Sequence, residues 1–147
     1  EFPDVAVVFP VHRNPVVRDV AREMLEGRER FYLIDPLDYE PFAHLMNCCY
    51  MVLTDSGGMQ EEAPSLGKPV LVLRDTTERP EALQAGTVKL VGTVREKIYK
   101  EARLLLNSKE EYEKMARAIN PYGDGEAAVR IVDVIKDFLY VRIGAQG

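Results

Sequence analysis

Tryptophan is absent from this chain, cysteine and histidine occur twice each, and no block of basic residues stands out. Each shortage excludes something. Cys48 and Cys49 are adjacent, poorly placed to bridge one another, and no CxxC or metal spacing accompanies them. They read as small buried residues near a helix end, in a reducing cytoplasm. His12 and His44 have no partner at ligand spacing, so no metal is expected. The net charge is −5 and Lys and Arg are scattered, which argues against nucleic acid as a main partner. Apolar runs are too short to cross a bilayer, and no signal peptide is present, so no membrane partner is expected. The rest is ordinary for a globular protein. The chain is 46% hydrophobic and 29% charged, and its 147 residues suffice for one domain with a core.

Apolar runs alternate with helical patterns. Val5 to Phe9 reads as a buried parallel strand. Asn14 and Pro15 can start a helix that Gly27 ends, with Val16, Val17, Val20, Ala21, Met24 and Leu25 on one face. Strands follow at 31–34, 50–54, 69–73 and 88–91. Asp38 can cap a short helix bearing Phe42, Leu45 and Met46, and further helices are expected at 59–66, 93–106, 109–119 and 126–140, with a helical turn at 81–84. The last helix carries Ala127, Ala128, Ile131, Ile135 and Phe138 at helical spacing. The pattern predicts an α/β fold: a Rossmann-like parallel sheet of about five strands flanked by helices, with ligands beyond the strands' C-terminal ends.

One stretch is richer in information than the others. Met51-Val52-Leu53 feeds Ser56-Gly57-Gly58, a helix follows, then an apolar run from Pro69 to Leu73, then the charged loop Arg74 to Glu81. Strand, glycine turn, helix and strand make half of a nucleotide-binding unit. Backbone N–H groups of such a turn can approach a phosphate, whose charge the helix N-terminus favours. Glu62, near the helix start, can take a ribose diol, and Arg74 and Arg79 offer positive charge. The plainer readings stand beside these. The glycines can simply shape a tight turn with a Ser cap, Glu62 can be a solvated carboxylate, and Arg79 can pair with Glu78 or Glu81 at the surface.

Ser56 to Pro64, Gly67-Lys68-Pro69-Val70 and Arg74 to Glu81, with Pro10 to Pro15 before them and Asn120-Pro121-Tyr122-Gly123-Asp124-Gly125 after, resemble the non-hydrolysing UDP-N-acetylglucosamine 2-epimerase family. The motifs occur in the family's order, from about Phe2 to about Leu139, and the loop Asp75 to Pro80 favours the non-hydrolysing branch. The resemblance implies that residues 1–147 form the UDP-binding C-terminal domain of a GT-B type two-domain fold. It further implies that the N-terminal catalytic domain and this domain's first strand are absent. The missing initiator Met and the early first strand point the same way. In the family the absent strand lies between those matching Val5–Phe9 and Tyr50–Thr54. These two are expected either to pair directly, giving order 2-1-3-4-5, or to accept a strand from another chain.

By the same resemblance, Ser56, Gly57 and Gly58 match UDP-phosphate contacts, Glu62 the ribose ligand and Arg79 a nucleotide-contacting arginine. Leu37 and Phe42 sit at uracil-contacting positions, and many members carry Gln where Leu37 stands. His12 matches a residue near a regulatory nucleotide site, and the Asn120–Gly125 turn has a shaping role. The implied reaction interconverts UDP-N-acetylglucosamine and UDP-N-acetylmannosamine by elimination and re-addition of UDP, without a cofactor. It belongs to cell-envelope polysaccharide biosynthesis in a homodimeric cytoplasmic parent. The acid/base carboxylates lie outside residues 1–147, so no catalytic residue is assigned and this chain alone is expected to be inactive. Three other classes remain: a nucleotide-sugar donor domain of a glycosyltransferase, a receiver-like domain, and a non-catalytic folding unit. A receiver needs an acidic cluster after the first strand, which Phe9-Pro10-Val11-His12 does not supply.

Overall fold

A computed structural model describes residues 1–144. The elements run β1 (Val7–Pro10), α1 (Pro15–Leu25), β2 (Phe31–Ile34), α2 (Tyr39–Cys48), β3 (Val52–Thr54), α3 (Met59–Ser65), β4 (Val70–Val72), α4 (Pro80–Ala85), β5 (Val88–Leu90), α5 (Arg95–Asn107), α6 (Lys109–Ala116) and α7 (Ala127–Gly144). Local chemistry sets their ends. The Asn14 side chain accepts from the Val16 amide at 3.0 Å, with Pro15 at the first helical position of α1. Gly86, at φ 79°, closes α4 in the left-handed conformation.

All strand pairs are parallel, as the alternating pattern requires, but the strands divide into two sheets, β1-β2 and β3-β4-β5. The expected α/β class with parallel strands flanked by helices stands, while direct pairing of β1 with β3, one of the two arrangements expected, does not form. Each pair that forms is joined by one crossover helix: α1, α3 or α4. Two intervening helices and β2 separate β1 from β3, and no ladder links them.

The division extends to packing, with one compact unit over Glu1–Leu45 and a second from Met46 onward. In the second, β4 lies between β3 and β5, and Val70, Leu71 and Val72 are wholly buried. Leu71, Val91 and Leu105 form a core against which Met51, Leu73, Ile98, Ala102 and Met115 pack. Tyr50 and Tyr112 stack at 4.1 Å. Their hydroxyls donate at 3.1 Å to the carbonyls of Leu105 and Tyr50, fastening α6 beside the entry to β3.

Elsewhere burial falls short of the sequence pattern. Val7, Val8 and Phe9 of β1 are each more than a third exposed, so this strand is parallel but not buried. Along α1 only Ala21 is buried, and Val16 is 74% exposed. The first unit is too small to bury a core from its own residues. Ile131, Ile135 and Phe138 of α7 are more than half exposed. Cys48 is exposed and Cys49 half-buried, correcting the expectation that both are buried. Cys48 is the last residue of α2, and the Cys49 thiol donates to the Met46 carbonyl.

Candidate functional site

Thr54, at the C-terminal end of β3, starts the site. Its Oγ1 accepts from the Ser56 amide at 3.0 Å, and its carbonyl accepts from the Leu73 amide at 2.9 Å. The chain therefore turns at the edge where β3 and β4 end together. Gly57 and Gly58 follow, and Gly58 caps α3 with no side-chain cap bond. The expected Ser cap is absent, and no hydrogen bond links the Ser56 hydroxyl to another of the described residues.

Neither Gly57 nor Gly58 has a positive φ, and a Cβ on Gly57 would meet nothing within 4 Å. The turn thus does not need glycine for its backbone shape. What glycine supplies is access. The amides of Gly57 and Gly58 have no acceptor among the described residues, and the space beside Gly57 is open to 4 Å. A Cβ on Gly58 would lie 3.8 Å from Glu62 Oε1 and 4.0 Å from Ser56 Oγ, so the exposed Glu62 carboxylate borders the same turn.

The loop after β4 closes the other side. Arg79 Nε donates to the Glu61 carboxylate, and its Nη1 reaches the Glu78 carbonyl at 3.3 Å. Arg79 therefore pairs with Glu61, one turn into α3, and not with Glu78 or Glu81. That bond holds the Arg79 guanidinium above its usual pKa. Arg74 pairs with Glu78 at 3.1 Å. The Glu78 carboxyl is lowered chiefly by its own backbone amide and then by Arg74. Of the two loop arginines, Arg79 is the one fixed against the helix that follows the glycine turn.

Three participants were not legible as site residues. Gln60 is fully buried, with Nε2 donating to the Ser56 carbonyl at 3.2 Å and Oε1 accepting from Thr77 Oγ1 at 2.6 Å. Its spacing to Ala63 and Pro64, both buried, was the available signal that it faces inward. Tyr122 was read as part of a shaping turn. Its buried hydroxyl has no well-formed hydrogen bond among the described residues, and burial, then Glu81 and Glu61, push its pKa up. Gly123 and Gly125 take positive φ, as the turn reading required, and Asn120 Nδ2 donates to Ser65 Oγ at 2.8 Å, tying the turn to the end of α3.

Leu37 and Phe42 belong to the first unit, Leu37 exposed in the loop after β2 and Phe42 half-buried in the first turn of α2. His12 is exposed there, and its Nδ1 accepts from the Asn14 amide at 3.1 Å. It does not line the nearby cavity of about 200 Å³, whose wall includes Arg13, Arg18, Arg22 and Asp35. Among the described residues no His, Cys, Asp and Glu cluster has metal-holding geometry, and no helix is long and apolar enough to cross a membrane.

Known proteins resemble this chain in sequence and fold. The family model described as UDP-N-acetylglucosamine 2-epimerase matches residues 1–136. A Bacillus subtilis protein of that name is 59% identical over 133 residues, covering 90% of this chain and 35% of its own. A crystal structure from Listeria monocytogenes superimposes with a TM-score of 0.91 at 55% identity, over 95% of this chain and 37% of the other. The Neisseria meningitidis UDP-GlcNAc 2-epimerase, solved bound to UDP-GlcNAc, gives 0.86 at 51% identity, over 92% and 37%. The chain spans about a third of the length of the relatives it matches.

Proposed function

The chain belongs to the UDP-N-acetylglucosamine 2-epimerase family, and we propose that it is the UDP-holding portion of an enzyme that interconverts UDP-N-acetylglucosamine and UDP-N-acetylmannosamine. The observation that carries this is the bare turn at Ser56–Gly58, two unused amides and a free hydroxyl bordered by Glu62. Diphosphate oxygens accept from those donors, Glu62 takes the ribose hydroxyls, and Arg79 adds positive charge. Elimination sends UDP off with the bonding electron pair, so fixed donors at the diphosphate stabilise the departing charge and keep UDP in place for re-addition. Proton transfer at the sugar falls to carboxylates of the parent outside residues 1–147, and the strand that the family sets beside β1 belongs there too. In this reading His12 serves a second, regulatory nucleotide, a role that rests on the family resemblance alone. The parent acts in the cytoplasm as a homodimer, in envelope polysaccharide synthesis.

The test is calorimetric titration of UDP into this chain and into Glu62→Ala. Binding that Glu62→Ala weakens at least tenfold supports the assignment. Binding unaffected by the substitution, or no binding by the unaltered chain at millimolar UDP, overturns it for the chain as it stands.

A further inference from the structure

Gln60 is the largest buried polar side chain here, and its bonds run between two segments rather than within one. Its Nε2 holds the Ser56 carbonyl at the entry to the glycine turn, and its Oε1 accepts the Thr77 hydroxyl proton. The Thr77 oxygen in turn accepts from the Arg79 amide at 3.0 Å. The direction of each bond is fixed. The reverse orientation of the Gln60 amide would set its oxygen against the Ser56 carbonyl oxygen. With its proton committed to Gln60, the Thr77 oxygen can only accept from Arg79. No water reaches Gln60 to replace a lost partner, so its unpaired amide would stay unpaired.

We infer that Gln60 and Thr77 are positioning residues, a relay that sets the Arg79 backbone, and with it the guanidinium held by Glu61, against the Ser56–Gly58 turn. This rests on the nucleotide reading above and specifies how its two sides are held in register. Glu61 fixes the Arg79 head while Thr77 fixes its amide, so Arg79 is restrained at both ends by groups of the chain itself. Such restraint lowers the ordering cost of binding a diphosphate.

The experiment combines UDP calorimetry with amide hydrogen exchange on the full chain carrying Thr77→Val, Thr77→Ser, Arg79→Ala and the pair Thr77→Val with Arg79→Ala. Valine keeps the shape and loses the hydroxyl. Serine keeps the hydroxyl. The expected result is about tenfold weaker UDP binding for Thr77→Val, near-normal binding for Thr77→Ser, and no further loss when Thr77→Val is added to Arg79→Ala, because the first acts through the second. The Arg79 amide should lose its protection in Thr77→Val at unchanged Tm. Additive losses, or unchanged affinity and protection in Thr77→Val, overturn the inference. If the unaltered chain fails to bind UDP, the nucleotide reading and the affinity part fall together. Exchange at the Arg79 amide then still decides whether the relay exists.

Discussion

Gly57 separates conformation from access more cleanly than any other position. Its φ is ordinary and its Cβ position is open, so Gly57→Ala asks nothing new of the fold. A methyl there would stand where a phosphate approaches the amides. Gly57→Ala should therefore leave Tm within about 2 °C of the parent and weaken UDP binding at least tenfold. A marked fall in Tm would restore the reading of a turn that needs glycine. Gly92 is the opposite case. At φ 66°, an added Cβ would sit 2.7 Å from Asp75 Oδ1. Gly92→Ala should cost about 1–2 kcal/mol from the left-handed backbone alone, read from denaturant unfolding. The sequence singled out Gly57 and not Gly92, and only the dihedrals show that the first keeps an ordinary φ while the second takes a left-handed one.

At the scale of elements, β4 carries the second unit: its apolar run from Val70 to Val72, legible in the sequence as a strand, is wholly buried between β3 and β5. Leu71→Ala should destabilise this unit by about 2–5 kcal/mol in chemical denaturation, since close-packed neighbours leave a cavity. The start of α7 is held by charge. Asp124 accepts from the Glu126 amide at 3.0 Å and pairs with Arg130. Arg130 first, then that amide, lowers the Asp124 carboxyl below its ordinary value of 3.8. The folded form therefore binds protons less readily than the unfolded one. The contribution is complete above the ordinary carboxylate range and is lost as pH falls through the lowered value. Amide exchange in the first turn of α7 should rise below about pH 4, and Asp124→Asn should show that rise already at pH 7. The helical pattern of α7 was legible, but its exposure was not, because periodicity reports which residues share a face and not what covers it.

Over the whole molecule, about a third of a family member's length holds a glycine turn with the Arg79–Glu61 pair beside its helix, and no acid/base pair is assigned within it. Purified alone, the chain should give no epimerisation of UDP-N-acetylglucosamine by product chromatography. Turnover above the uncatalysed rate would place the proton-transferring groups inside these residues. The sequence by itself determined the strand–helix alternation, the parallel pairing, the family and the glycine turn, because local periodicity and turn chemistry act over a few residues. Only the tertiary structure decided that the strands part into two sheets, that Arg79 turns to Glu61, and that Gln60 and Thr77 join the loop to the turn. Those outcomes depend on which distant groups are brought within 3 Å and shielded from water, which no local pattern encodes.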